Sequence, residues 1–261
     1  MPICIETAPE PRLDADHPAN RVPIPRLFTP DHTTLSRRAE TLDMVRPKRG
    51  SGPVHLLVDS TGLKLCGSGE WLLEKHGTKT RRDWRKLHIA VDADTGQIAA
   101  AALTTGDVDD ASQVGILLDQ VDGPVASFTA DGAYDQDGVY GEVVARHPEA
   151  SIIVPPRSGA VPSDTAETAP TLRDRHLHII AERGRMAWQK ASGYHWRALV
   201  EADISRFKRV IKDGLRSHTD RRRATEVAIA VSALNRMLEL GPSGVRPPRV
   251  IEIQDGRTLV G

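Results

Sequence analysis

Asp59, Asp131 and Glu201 are the residues of this chain whose types and settings could do chemistry together. Asp59 follows the apolar run VHLLV and Asp131 follows ASFTA, so each is expected to close a short β-strand. Glu201 lies inside YHWRALVEADISRFK, a stretch with helical periodicity. Around it, Tyr194, Arg197, Glu201 and Lys208 are separated by 3, 4 and 7 positions. At about 100° per residue, four such side chains share a stripe roughly 60° wide. Two carboxylates at strand ends and one on a helix can hold a pair of divalent cations over a phosphodiester. On that reading Asp59 bridges the two ions, Asp131 holds one and Glu201 the other. Arg197 and Lys208 would meet the flanking phosphates, and Tyr194 would stack on a base or pack the edge of the site. Each residue alone has a plainer reading. An aspartate after a strand is usually a turn or cap residue, a helical glutamate is usually solvated, and Arg197–Glu201 is an ordinary i,i+4 pair. The case rests on the three carboxylates together.

The surrounding elements must bring these groups to one place. Residues 1 to about 28 contain six prolines without apolar periodicity and read as an irregular arm. TPDHTTLSRRAETLDMV predicts a short helix, with Thr29 as cap and Pro30 at its first position, and RPKRGSG is a basic linker. VHLLVD is a first strand, and KLHIAVDADTGQIAAAALTT is two strands joined by a hairpin at Asp94-Thr95-Gly96. DDASQVGILLDQV is a helix capped by Asp109 or Asp110, VASFTAD a strand, QDGVYGEVVARH a helix and ASIIVPP a last short strand. No conformation is assigned to 157–185. A long helix is expected from Tyr194 to Lys212, ending near Gly214, and another across TEVAIAVSALNRMLEL. This order is that of a ribonuclease H-like α/β domain, a mixed sheet flanked by helices, with a short helical and irregular N-terminal arm. In that topology the first strand is central and the fourth lies beside it, which makes neighbours of Asp59 and Asp131. The domain division expected is an arm, helix and linker over 1–50, a catalytic domain over 51–240, and a tail over 241–261.

Composition narrows the partners. Lysine plus arginine equal aspartate plus glutamate at 35 each, so net charge argues for no partner. Its distribution does, because KHGTKTRRDWRKLH sets six basic residues, among them Arg81, Arg82, Arg85 and Lys86, against Asp83 alone. Trp84 sits among them where an aromatic could wedge beside DNA. A second basic run spans Arg206 to Arg223, and together the two runs point to a polyanion such as DNA. Aromatics are only 4% of the chain, which excludes a broad base-stacking platform. Two distant cysteines, no secretory leader and no membrane-length apolar run imply a reduced, cytoplasmic protein. There is no phosphate-cradling glycine-rich loop, no zinc spacing and no nucleophile elbow.

The residues also resemble a family. Tyr194, Arg197, Glu201 and Lys208 match, at every fixed position, the Y-x2-R-x3-E-x6-K signature of bacterial insertion-sequence DDE transposases of the insertion-sequence-five group. Four fixed positions match by chance at roughly one in 10⁵ per start. VDSTGLK, RRDWRKLHIAVD, TADGAYD, IIVPPR and ALNRM look like further motifs of that group, and the resemblance covers about Leu27 to Gly241. It implies a catalytic triad of Asp59, Asp131 and Glu201 and two Mg²⁺ ions, with Mn²⁺ as substitute. It further implies hydrolysis at the element's terminal inverted repeats, attack of the freed 3′-hydroxyl on target DNA, a homo-oligomer on paired ends, and residence on the bacterial nucleoid. The chain departs from the pattern at Met1 to about Pro25, where a fuller helical region that binds terminal repeats is expected, and at Gly106, where asparagine is expected. Those departures keep two alternatives in view: a metal-dependent endonuclease that does not join strands, and a catalytically silent DNA-binding remnant.

Overall fold

The structure is a computed structural model, and it describes residues 32–39, 52–65 and 84–241. The expectations for 1–31, for the caps Thr29 and Pro30, for the linker, for Arg81 and Arg82, and for the tail beyond Gly241 fall outside those residues. The chain divides into two units, Met1–Arg37 and Arg38–Gly261. Helix α1 (His32–Ala39) lies across that division and is described by itself; Arg37 Nε donates to the Thr33 carbonyl one turn earlier, at 3.4 Å.

Among the described residues six strands make one mixed sheet: β1 (Val54–Leu65), β2 (Trp84–Asp92), β3 (Ile98–Thr105), β4 (Val125–Thr129), β5 (Ser151–Ile153) and β6 (Gly214–Leu215). Their order is β3-β2-β1-β4-β5, with β6 paired to the far end of β1. β1, β2 and β3 are antiparallel, and β4 and β5 run parallel to β1. This is the ribonuclease H-like arrangement expected from the sequence, with the first strand central and the fourth beside it. The β2–β3 hairpin turns at the expected tripeptide, where Gly96 takes φ +69°, a conformation that costs glycine little.

Strand alternation splits the core into two layers. Leu56, Val58, Ala90, Phe128 and Ile152 face α2 (Val114–Leu118) and α3 (Asp137–Arg146). Leu57, Leu63, Leu87, Ile89 and Ile98 face α6 (Ala198–Val210) and α7 (Asp220–Leu240). Between the layers' helices the chain forms α4 (Leu172–Arg183) and α5 (Arg185–Ser192).

Several local expectations are corrected. β1 does not stop at Asp59; it runs six residues further, because β2 pairs with it as far as Lys64 and β6 pairs with Lys64 and Leu65. Neither Asp109 nor Asp110 caps a helix through its side chain. A 3-10 turn at Ala111–Gln113 precedes α2, and the Asp110 carboxylate goes instead to Lys86 and His88. The long helix from Tyr194 is a 3-10 turn at Tyr194–Arg197 followed by α6. It ends before Gly214: Lys212 takes φ +92° and Gly214 begins β6. The unassigned stretch holds α4, whose start is fixed by a reciprocal capping box between Thr171 and Asp174.

Candidate active site

Pairing of β1 with β4 places the two aspartates. Leu57 lies opposite Thr129 in this parallel pair, so residues two positions further on, Asp59 and Asp131, stand level and on the α6 face. Asp59 accepts the Ser60 main-chain N–H at 2.8 Å. Asp131 takes an extended conformation just past β4 and caps the 3-10 turn Gly132–Tyr134, its Oδ1 accepting from Ala133 N at 2.8 Å. Each carboxylate is thus pinned by one oxygen and presents the other to the site.

The free oxygens converge on one guanidinium. Arg197 Nη2 lies 3.1 Å from Asp59 Oδ2 and 3.5 Å from Asp131 Oδ2, and Arg197 Nη1 donates to Glu201 Oε1. The plain i,i+4 pair of the sequence reading therefore exists, and the same arginine also reaches both strands. Exposure is graded across the trio: the side chains of Asp59, Asp131 and Glu201 are 14%, 34% and 58% exposed. Burial pushes the Asp59 carboxyl up from its ordinary value, against the Ser60 N–H and Arg197, which favour the anion. The Arg197 guanidinium is desolvated, yet the surrounding carboxylates hold its pKa above the ordinary value.

The signature residues do not all share one stripe. A 3-10 turn advances about 120° per residue, which turns Tyr194 out of line with α6. Its ring packs on buried Trp188 at 5.5 Å between centroids. Lys208, half-buried, lies two turns along α6 from Glu201. Of the β2 residues expected to meet DNA, Arg85 pairs with Asp220 at 2.9 Å, and Lys86 donates to the Val108 carbonyl at 2.8 Å and pairs with Asp110 at 3.3 Å. Trp84 is 42% exposed, lies against Gly62 and has Lys64 Nζ over its ring. These three residues sit on the strand next to β1, not at the Arg197 cluster.

Sequence reasoning gave no role to Asn235, yet this buried residue of ALNRM plugs the edge of β3. Its amide accepts from Ile98 N at 2.8 Å and donates to Ile98 O at 2.9 Å. It also gave none to Asp135, Arg157 and Arg173, although TADGAYD and IIVPPR contain the first two.

Among the described residues no three His, Cys, Asp or Glu groups are arranged as a ligand set for a metal. The donor chemistry nonetheless suits a hard divalent cation. Three carboxylates already converge on positive charge, supplied in this structure by Arg197.

The ribonuclease H-like sheet thus gathers three carboxylates where β1 meets β4. The chain belongs to the Transposase DDE domain family, which matches residues 50–238, and a second family of the same description matches residues 22–68. Enzymes of this family work with divalent metal ions. Among solved structures the chain is similar to one titled a cryo-EM structure of the simian T-cell lymphotropic virus intasome in complex with PP2A regulatory subunit B56 gamma. The identity is 14% over 82% of this chain, with a TM-score of 0.29. The chain spans 65% of the length of that one. No helix among the described residues is long and apolar enough to cross a membrane.

Proposed function

We propose that this chain is an insertion-sequence transposase of the insertion-sequence-five group, cutting at the element's ends and joining the freed 3′-hydroxyl to target DNA. The observation that carries the reading is the convergence of Asp59, Asp131 and Glu201 on the single Arg197 guanidinium, in a chain of the DDE family. Residues 51–240 form the catalytic domain in this reading, and 1–50 and 241–261 are its flanking arm and tail. The protein works as a homo-oligomer on paired ends, in the bacterial cytoplasm on the nucleoid.

Asp59, Asp131 and Glu201 would hold two Mg²⁺ ions, with Mn²⁺ as substitute. Bound there, such ions supply Lewis-acid activation of the attacking water or hydroxyl and offset charge on the phosphate. Asp59, the most buried of the three, presents an oxygen whose partner is already held by Ser60 N–H, so little rotamer freedom is lost on binding a cation. Glu201, the most exposed, is free to follow its ligand. Arg197 then turns from the carboxylates to the phosphate that has arrived, and Lys208 meets the phosphate next to it. Tyr194, Arg81, Arg82, Trp84, Arg85 and Lys86 complete the DNA contacts.

The test is cleavage and joining of labelled terminal-repeat DNA with Mg²⁺ or Mn²⁺, comparing wild type with Asp59→Ala, Asp131→Ala and Glu201→Ala. Each substitution is expected to abolish cleavage while leaving folding and most DNA affinity in place. Nicking without joining would assign the chain to the endonucleases. Salt-sensitive binding with no cleavage, even of pre-nicked ends, would make it a silent remnant.

A further inference from the structure

The turn that carries Asp131 is held from outside the site by three residues that touch none of its carboxylates. Arg157 lays its guanidinium across the turn, Nε donating to Gly132 O at 3.0 Å and Nη2 to Ala133 O at 2.9 Å. These carbonyls belong to the two residues after Asp131, and Ala133 also donates to the Asp131 carboxylate. Asp135 closes the same turn from below. Its side chain is fully buried, and it accepts from Arg157 N at 2.9 Å and from Arg173 Nε and Nη2 at 2.7 and 3.2 Å. Arg173, on α4, donates its remaining fork nitrogen to Val161 O at 3.1 Å.

We infer that Arg157 and Asp135 are positioning residues for Asp131, forming a clamp that ties its turn to the 155–157 segment and to α4. The inference rests on the role proposed above for Asp131. A turn just past the end of β4 has lost the ladder that would otherwise hold it, since β4 stops at Thr129. Two carbonyls gripped by one planar fork cannot rotate separately, so the Arg157 guanidinium fixes the peptide planes whose N–H orients Asp131 Oδ1. The buried Asp135 carboxylate in turn orients Arg157 by its main chain, and Arg173 meets that carboxylate with a two-pronged, charge-assisted pair. Residues of this kind, one step removed from metal ligands, commonly change metal affinity by about 10- to 100-fold when replaced.

Arg157→Gln is the informative variant. It removes the fork and keeps the main-chain bond to Asp135, and the residue is exposed. Asp135→Asn would leave Arg173 facing an uncharged partner in a buried place and risks the fold. The full chain is measured twice. In metal-free protein, amide exchange across 131–135 is expected to be about tenfold faster in Arg157→Gln, and intermediate in Arg157→Lys, which restores charge without the fork. In cleavage assays, the Mg²⁺ concentration for half-maximal rate is expected to rise about tenfold or more, with the rate largely recovered at saturating metal. Unchanged exchange overturns the clamp. Faster exchange with unaltered Mg²⁺ dependence overturns its positioning role. Wild-type protein without metal-dependent cleavage sinks the reading of Asp131 and the positioning role with it, while faster exchange would still establish the clamp on the turn.

Discussion

Replacing Arg197 with methionine tests whether this arginine is the counter-charge that an incoming metal displaces. The variant leaves Asp59, Asp131 and Glu201 gathered without a cation. Breaking a fully buried ion pair costs about 3–5 kcal/mol, and an exposed one costs about 0–1 kcal/mol. Glu201 and Asp131 are reached by water, so their links count near the lower figure. The Asp59 link, between side chains 14% and 19% exposed, counts near the upper one. Asp59 can relieve the loss by taking up a proton, since burial already favours its neutral form. The net expectation is about 2–3 kcal/mol. For a domain of this size that lowers Tm by roughly 4–12 °C in EDTA. Mg²⁺ should then help the variant more than wild type, because it no longer competes with the guanidinium. At ten times its Kd the ion contributes about 1.4 kcal/mol, or roughly 3–6 °C. Calorimetry at pH 7 with EDTA and with a Mg²⁺ series, on wild type, Arg197→Met, Asp59→Asn and the double variant, measures both effects. Removing Arg197 should cost less in the Asp59→Asn background, by about 1–2 kcal/mol. An unaltered Tm in EDTA, or equal Mg²⁺ shifts in wild type and variant, would refute the exchange.

Asn235→Ala should destabilise the domain by about 2–4 kcal/mol in urea unfolding, because it strands the buried N–H and carbonyl of Ile98; a loss under 1 kcal/mol would mean water replaces the amide at low cost. His88 is buried, and desolvation holds its pKa below the ordinary value against the pull of Asp110 and Asp109 and with the help of Lys86. A depressed histidine leaves stability untouched above its unfolded value near 6.5 and erodes it as pH falls from there toward the folded value. Tm should therefore drop between pH 7.5 and 5.5, and His88→Gln should flatten that drop without removing it, since half-buried His147 and His176 shift in the same direction. Equal slopes in the two proteins would show that His88 is not the group responsible. Lys208→Ala should reduce the slope of log K against log salt by about 1 for terminal-repeat DNA, and an unchanged slope would remove Lys208 from the phosphate contacts.

Much of this molecule was legible in its residues. Alternating apolar runs and the Asp94-Thr95-Gly96 turn set the strand order, and the signature around Glu201 put an arginine one turn from a carboxylate. These are short-range properties, decided by side-chain period and backbone propensity over a few residues. The α4 start is written in the Thr171-x-x-Asp174 box, but the prolines before it break the apolar period that would mark the helix.

What the tertiary structure decided depends on partners far apart in the chain. Asp59 lies within a strand because β2 and β6 supply hydrogen bonds beyond it, and no local pattern announces a strand's neighbours. Lys86 belongs to a basic run, yet folding brings it to Asp110, 24 residues on, and so a charge read as facing outward also pairs within the molecule. Spacing alone could pair Arg197 with Glu201; only the register of β1 against β4 brings Asp59 and Asp131 level beneath the same guanidinium. Sequence thus determined which groups could do chemistry and on what kind of element each would sit. The sheet determined which of them share a charge, because hydrogen-bond register and burial are set by contacts that no local stretch contains.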